Sequence, residues 1–194
     1  MNILLVYPLY PNTFWSFKHA LKFISKKAVN PPLGLLTISA MLPEKWNKKL
    51  VDLNIEAIKN KDILWADYIF ISAMNIQAES ARKVIEMCKS VNKKIVCGGP
   101  LFTEEPDNFD MVDHLILNEA ELTLPKFLND LKNGNPKHIY KSEGFANLAE
   151  TPLPNYHLVK TSKYNTMNFA ITRGCPFYCE FCDITALFWT KSKN

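Results

Sequence analysis

The sequence predicts an α/β fold on a mostly parallel sheet, and two observations predict it. Five short apolar runs rich in β-branched residues recur at broadly regular intervals, at 3–7, 50–53, 68–72, 94–97 and 112–117. Between them lie helical patterns at 33–42, 55–64, 76–90 and 119–133. Strands that are apolar almost throughout are buried on both faces, as parallel strands covered by helices are. Such sheets take ligands beyond the carboxyl ends of their strands, so the loops after each strand are where function is expected.

Taken in order, the first strand is followed by an unusually long loop, 8–32, in which Phe14, Trp15 and Phe17 mix with lysines. At that length it is expected to hold a short helix, and its two readings are a functional loop and an aromatic flap closing the core edge. The helices at 33–42, 55–64 and 76–90 then alternate with strands. In the fourth helix Leu124, Phe127, Leu128 and Leu131 share one face, Asn118 and Glu121 are spaced as a capping box, and Gly134 is the stop. From 144 to 163 periodicity gives way to a stretch containing TPLPNYHL, which reads as an extended linker, and 168–172 reads as a new strand.

The chain has 194 residues, 47% of them hydrophobic, enough for one sizeable core and an appendage. It contains no apolar run of the roughly 18 residues a membrane span needs, and MNILLVYPLY lacks the basic start and cleavage site of a signal peptide, so a cytoplasmic location is expected. The net charge of +4 comes from scattered lysines with only two arginines, Arg82 and Arg173, a pattern that argues against nucleic-acid binding. Five cysteines, three of them within eight residues, are not a disulfide framework and point to metal or redox chemistry. Cys88, on a helix face, and Cys97, at a strand end, are expected to pack as small hydrophobes, and His114, His138 and His157 to be structural or solvent-facing.

The chemistry is concentrated in Arg173-Gly174-Cys175-Pro176-Phe177-Tyr178-Cys179-Glu180-Phe181-Cys182. Thiolates are soft ligands for iron–sulfur clusters, zinc or copper, and three in a compact loop can hold three corners of a cubane while leaving one iron open. A zinc knuckle completed by His157 or another residue is the competing reading.

The CxxxCxxC spacing, with an aromatic residue before the last cysteine, resembles the cluster loop of the radical SAM superfamily. That resemblance implies a 4Fe-4S cluster on Cys175, Cys179 and Cys182, S-adenosylmethionine on the fourth iron, Phe181 against its adenine, and reductive cleavage to a 5′-deoxyadenosyl radical. NPPLGLL at 30–36, the strand end from Phe70 through Ser72 to Met74, Gly98-Gly99-Pro100, and Asn118-Glu119-Ala120-Glu121 resemble the cobalamin-binding domain that precedes the barrel in one radical SAM class. Through FWSFKHALKF, CGGPLFT, VDHLILNEAELTLP and CPFYCEFCDI the likeness extends to the subgroup containing hopanoid C-2 methylases.

The resemblance implies a Rossmann-like (flavodoxin-like) five-stranded sheet of order 2-1-3-4-5 over 1–140, a linker over 141–166, and from 167 the first strand and cluster loop of a truncated radical SAM barrel. It places cobalamin over the strand ends, with Ser72, Met74, Gly98, Gly99 and Pro100 beside it. Read physically, Gly98-Gly99 either lets a bulky ligand approach the backbone or makes a tight turn. Glu119 is expected to cap its helix rather than act as a catalytic acid. The DxHxxG signature of cobalt-ligating cobalamin domains is absent, since Phe17 and Lys22 flank His19 where Asp and Gly are required, so no protein histidine is expected on the lower face.

The implied activity is a cobalamin-dependent methyltransferase acting on an unactivated carbon of a lipid-like or other small molecule, supplied with electrons by a flavodoxin- or ferredoxin-type reductant. With a dozen residues after Cys182 the barrel is incomplete, and weak or no turnover is expected from this chain alone. The alternatives are a non-catalytic cobalamin-binding module and a small zinc-binding protein.

Overall fold

The computed structural model describes residues 1–13, 16–177, 179, 180, 182, 184 and 187. Phe14, Trp15 and Phe181 therefore lie outside the described residues. Six parallel strands, β1 (Asn2–Tyr7), β2 (Asn47–Asp52), β3 (Tyr68–Ser72), β4 (Lys94–Gly98), β5 (His114–Ile116) and β6 (Ile139–Tyr140), form one sheet of order β2-β1-β3-β4-β5-β6. Accompanying them among the described residues are the helices α1 (Lys18–Phe23), α2 (Leu33–Met41), α3 (Asn60–Trp65), α4 (Ala78–Lys89), α5 (Pro100–Glu104) and α6 (Ala120–Lys132).

Strand alternation divides the core into two layers. Leu4 and Val6 of β1 join Ile69, Ile71, Ile95 and Cys97 beneath α3, α4 and α5, whereas Ile3 and Leu5 join Phe70, Val96 and Ile116 beneath α2 and α6. All of these are buried, each large one contributing roughly 1.5–3 kcal/mol. The expected α/β class, parallel pairing and order of the first five strands are all present.

Four local expectations are corrected. The sheet has a sixth strand, β6, just two residues long, in register Leu115↔Ile139 and Ile116↔Tyr140. Its anchor is the buried Tyr140, whose hydroxyl donates to Asp130 at 2.9 Å and accepts from the Lys137 N–H at 2.7 Å. The capping box does not form: Asn118 takes a left-handed φ of 62°, and the position before α6 is filled by Glu119, without a side-chain cap.

The segment 168–172 is not in a strand, because no neighbouring strand among the described residues takes up its backbone groups; Phe169 and Ile171 are exposed. Finally, the Pro-rich segment after 144 lies against the domain instead of extending away from it. It makes 3-10 turns at Leu148–Glu150, Tyr156–Leu158 and Thr161–Lys163, and Tyr156, Leu158 and Val159 pack on the α2/α6 layer.

This strap is latched at its far end. Tyr164, 4% exposed, donates its hydroxyl to Asp52 at 2.9 Å, and Asp52 also accepts from the Asn54 backbone and side chain. Burial raises the Asp52 pKa, outweighing these hydrogen bonds. A carboxyl with a raised folded-state pKa contributes stability that is complete below the ordinary carboxylate range and is lost as pH rises through the raised value. Asp52→Asn is therefore expected to lose less stability than the native chain between acidic and neutral pH, measured as urea midpoints at both. Tyr164→Phe is expected to cost about 1 kcal/mol and to speed amide exchange around residues 158–166; unchanged exchange there would remove the latch from the account.

Candidate functional site

Beyond the carboxyl ends of β3, β4 and β5 lies a cavity of about 470 Å³, bounded by the start of α2, the start of α6, the strap at 148–154 and the segment that leads into the cysteine loop. Its floor is apolar, made by Phe70, Val96, Ile116 and Leu124. Polar groups enter from Ser72, Thr103 and Asn118. An apolar basin with a few convergent polar groups is the usual form of a small-molecule site.

Gly98 and Gly99 are fixed by the protein before any ligand is considered. A Cβ on Gly98 would sit 2.8 Å from the Ile116 carbonyl oxygen on β5, and one on Gly99 would sit 2.8 Å from Ser72 Oγ and 3.1 Å from the Ala73 carbonyl oxygen. Gly99 also has φ 96° and ψ −179°, a region that essentially only glycine occupies. Both readings of the pair thus meet here: it makes the tight passage from β4 into α5, and it leaves bare backbone on the cavity wall.

Asn118 carries the clearest sign of an unmet partner. Its backbone N–H donates to Thr103 Oγ1 at 3.1 Å, but its side-chain oxygen is buried and accepts no hydrogen bond. A buried acceptor of this kind costs roughly 1–3 kcal/mol unless something donates to it. With the cavity's size and apolar floor, this orphaned oxygen fits a large ligand that bears hydrogen-bond donors at its edge.

Of the residues expected at the site, Ser72, Gly98, Gly99 and Pro100 line the cavity together. Met74 stands apart: it is 46% exposed and its sulfur accepts from the Tyr10 hydroxyl at 3.6 Å. Cys97 reaches the cavity wall but is wholly buried, and burial raises its pKa; burial likewise pushes Cys88 up to about 12. Both thiols stay protonated and serve as packing groups.

Cys175 and Cys182 are partly exposed and Cys179 is exposed, with the Cys182 N–H donating to the Cys179 carbonyl at 3.1 Å. Among the described residues no three Cys, His, Asp or Glu side chains are grouped to hold a metal, these cysteines included. The three thiols are not gathered in the arrangement present, so the case for a cluster rests on the chemistry of the thiolate set and its spacing. Metal-binding loops take their closed form from the metal, because the free energy of binding is also free energy of folding.

An ion-pair clamp that no motif foreshadows fastens the cysteine-bearing segment to the cavity. Arg173 donates through one terminal nitrogen to Glu119 at 2.9 Å and through the other to Glu121 at 2.7 Å. Glu119 also accepts from the Ala146 N–H, and Glu121 from Thr151 Oγ1 at 3.1 Å, so the clamp gathers α6, the strap and the cysteine segment. Burial by itself would raise the Glu121 pKa, but the hydrogen bonds and charge of Arg173 outweigh it and hold the carboxyl below its ordinary range. Glu119 occupies the helix-start position foreseen for it, with its carboxylate turned to Arg173. The one available signal was that Arg173 is among only two arginines in the chain.

Comparison with known proteins bears on this geometry. The B12 binding domain family matches residues 23–128, more than half of the chain and most of the sheet. An uncharacterized methyltransferase of Synechocystis is 38% identical over 196 residues, covering 100% of this chain and 37% of its own length. Hopanoid C-2 methylase of Rhodopseudomonas palustris is 32% identical over 192 residues, covering 96% of this chain and 36% of its own. Bacteriochlorophyllide d C-8(2)-methyltransferase of Chlorobaculum tepidum is 29% identical over 158 residues, 77% of this chain and 34% of that protein. The chain thus spans little more than a third of these relatives, and it belongs to the B12-binding-domain family, with homology to hopanoid C-2 methylase and other methyltransferases.

Proposed function

We propose that this chain is the N-terminal part of a cobalamin-dependent radical SAM methyltransferase, and that the cavity beyond β3, β4 and β5 receives cobalamin. The observation that carries the reading is the cavity itself: an apolar basin at the strand ends of a B12-binding domain, with bare glycine backbone on one wall and an unpartnered buried acceptor on Asn118. Bound cobalamin supplies a transferable methyl group, and S-adenosylmethionine on a four-iron cluster supplies an organic radical.

The chain's own residues bind and orient. Phe70, Val96, Ile116 and Leu124 exclude water from the buried part of the ligand, while Asn118 accepts from an amide N–H at its edge. Ser72 and Thr103 offer further hydroxyls. In this reading residues 1–140 are the cofactor domain, 141–166 the connection, and the segment from 167 opens the catalytic domain, with Cys175, Cys179 and Cys182 as cluster ligands and Phe181 beside the adenine. Substrate, reductant and turnover belong to the whole enzyme. A non-catalytic cobalamin-binding module is the second reading, favoured by cysteines that are not gathered.

Anaerobic reconstitution with iron, sulfide and hydroxocobalamin, followed by desalting, metal analysis and absorbance spectra, tests both. Corrin absorbance with about four irons per chain, the iron lost in a Cys175→Ala, Cys179→Ala, Cys182→Ala variant, is the expected result. Corrin without iron selects the binding module; zinc alone, or neither cofactor, overturns the reading. Gly34→Leu locates the ligand. Gly34 lines the cavity and a Cβ there meets nothing within 4 Å, so the variant is expected to fold normally and lose most of its corrin.

A further inference from the structure

The first 43 residues hold Lys18, Lys22, Lys26 and Lys27 and no acidic residue; the first acid in the chain is Glu44. Much of that positive charge falls on and just after α1, a helix that buries only Leu21. Exposed apolar side chains stand at both of its ends, Phe17 (47% exposed) at the start and Phe23 (91%) and Ile24 (52%) at the finish. Among the described residues no carboxylate pairs with any of these four lysines. Lys27 donates to the Ile55 carbonyl and Lys26 to the Ser162 carbonyl, which braces the chain after α1 against the body of the domain; the side chains of Lys18 and Lys22 are exposed.

An exposed phenylalanine normally finds cover in a core, and a cluster of exposed apolar side chains marks a contact surface. Exposed apolar residues at the helix ends beside the exposed Lys18 and Lys22 match a surface that is apolar within and anionic at its boundary. We infer that this face docks on an anionic lipid bilayer, with Phe17, Phe23 and Ile24 entering the boundary between headgroups and acyl chains and Lys18 and Lys22 meeting the phosphates. No described helix is long and apolar enough to cross a membrane; the inferred contact is made by the side chains of one surface face. None of the cavity-lining residues precedes Leu33, so the docking face is separate from the proposed cobalamin site, and the inference stands whether or not cobalamin binds.

The test is co-sedimentation of the 194-residue chain with phosphatidylcholine vesicles, with and without phosphatidylglycerol. Binding to the phosphatidylglycerol vesicles, weakened by high salt, is expected. Phe23→Ser should weaken it at least about tenfold through lost apolar burial. A Lys18→Gln, Lys22→Gln variant should weaken it by about 25-fold, and this second variant leaves every apolar contact in place. Far-ultraviolet circular dichroism and urea midpoints, expected unchanged for side chains this exposed, show that each variant is folded. No sedimentation, equal binding to neutral and anionic vesicles, or a dimer that Phe23→Ser dissociates would overturn the inference, the last by making the face a contact between two copies of the chain.

Discussion

Gly99→Ala is expected to destabilise the domain by roughly 3–5 kcal/mol, a large part of the 5–15 kcal/mol that holds an ordinary domain together. Two costs add. The backbone at φ 96° and ψ −179° is strained for any residue with a Cβ. That Cβ also meets atoms that cannot move aside: Ser72 Oγ at 2.8 Å can rotate, but the Ala73 carbonyl at 3.1 Å accepts from the Leu101 N–H and is fixed between β3 and α5. Gly98→Ala presses on the Ile116 carbonyl and forces β4 from β5, with a similar loss. The control is Gly134→Ala, where φ is 75° but nothing lies within 4 Å; only the left-handed cost of about 1 kcal/mol remains. Urea midpoints for the three variants measure this. Equal midpoints for Gly99→Ala and Gly134→Ala would mean that the β3–β4 junction yields, and that the glycine pair is not required by the fold.

What the sequence made legible follows from how far each signal reaches along the chain. The apolar runs at 3–7, 68–72 and 94–97, and the helix patterns at 33–42, 76–90 and 119–133, matched the observed elements to within two or three residues. Each carries its whole signal in its own periodicity. β6 was missed because two residues cannot show a period; it is held by its pairing with β5 and by Tyr140, which reaches Asp130 and Lys137. At 168–172 the composition of a strand was visible, but a strand also needs a neighbour to bond.

The failed capping box shows a related limit. Asn118 and Glu121 have the right spacing, yet neither is free to cap: Asn118 takes a left-handed φ that turns it out of the cap position, and Glu121 is held by Arg173, 52 residues away. The strap was read as linker because prolines break periodicity, whereas its attachment rests on single residues such as Tyr164 and Asp52, 112 positions apart. In the candidate site the same division holds. Glycines and cysteines announce themselves through backbone chemistry and spacing, while the partners of Glu119 and Glu121 are visible only once the chain has folded.

Arg173→Gln is expected to release the cysteine-bearing segment from the cavity. The substitution removes the cation from Glu119, whose side chain is 6% exposed, and from Glu121, 14% exposed. Leaving a buried carboxylate without its partner costs about 3–5 kcal/mol in a fully buried pair; with Arg173 24% exposed, roughly 2–3 kcal/mol is the appropriate scale. The chain has a cheaper escape than unfolding. If the segment around 168–175 undocks, both carboxylates regain water, so the loss is capped at the free energy of docking and the urea midpoint of the sheet shifts little. Amide exchange should instead quicken at 144–151 and 168–175.

The cavity loses the wall supplied by Phe169, Ala170 and Arg173 at the same time, and retention of hydroxocobalamin should fall about tenfold or more. Linkage requires the converse: in the native chain, a ligand that touches this wall must slow exchange in the segment by the same free energy with which docking tightens the ligand. Arg173→Lys separates charge from geometry, since a single ammonium cannot serve two carboxylates in the paired manner of a guanidinium, and an intermediate exchange rate is expected. Unaltered exchange at 168–175 in Arg173→Gln would show that the segment is held by its other contacts, among them the Tyr156 hydroxyl on the Asn168 carbonyl, and the clamp would then have no part in joining the cavity to the cysteine loop.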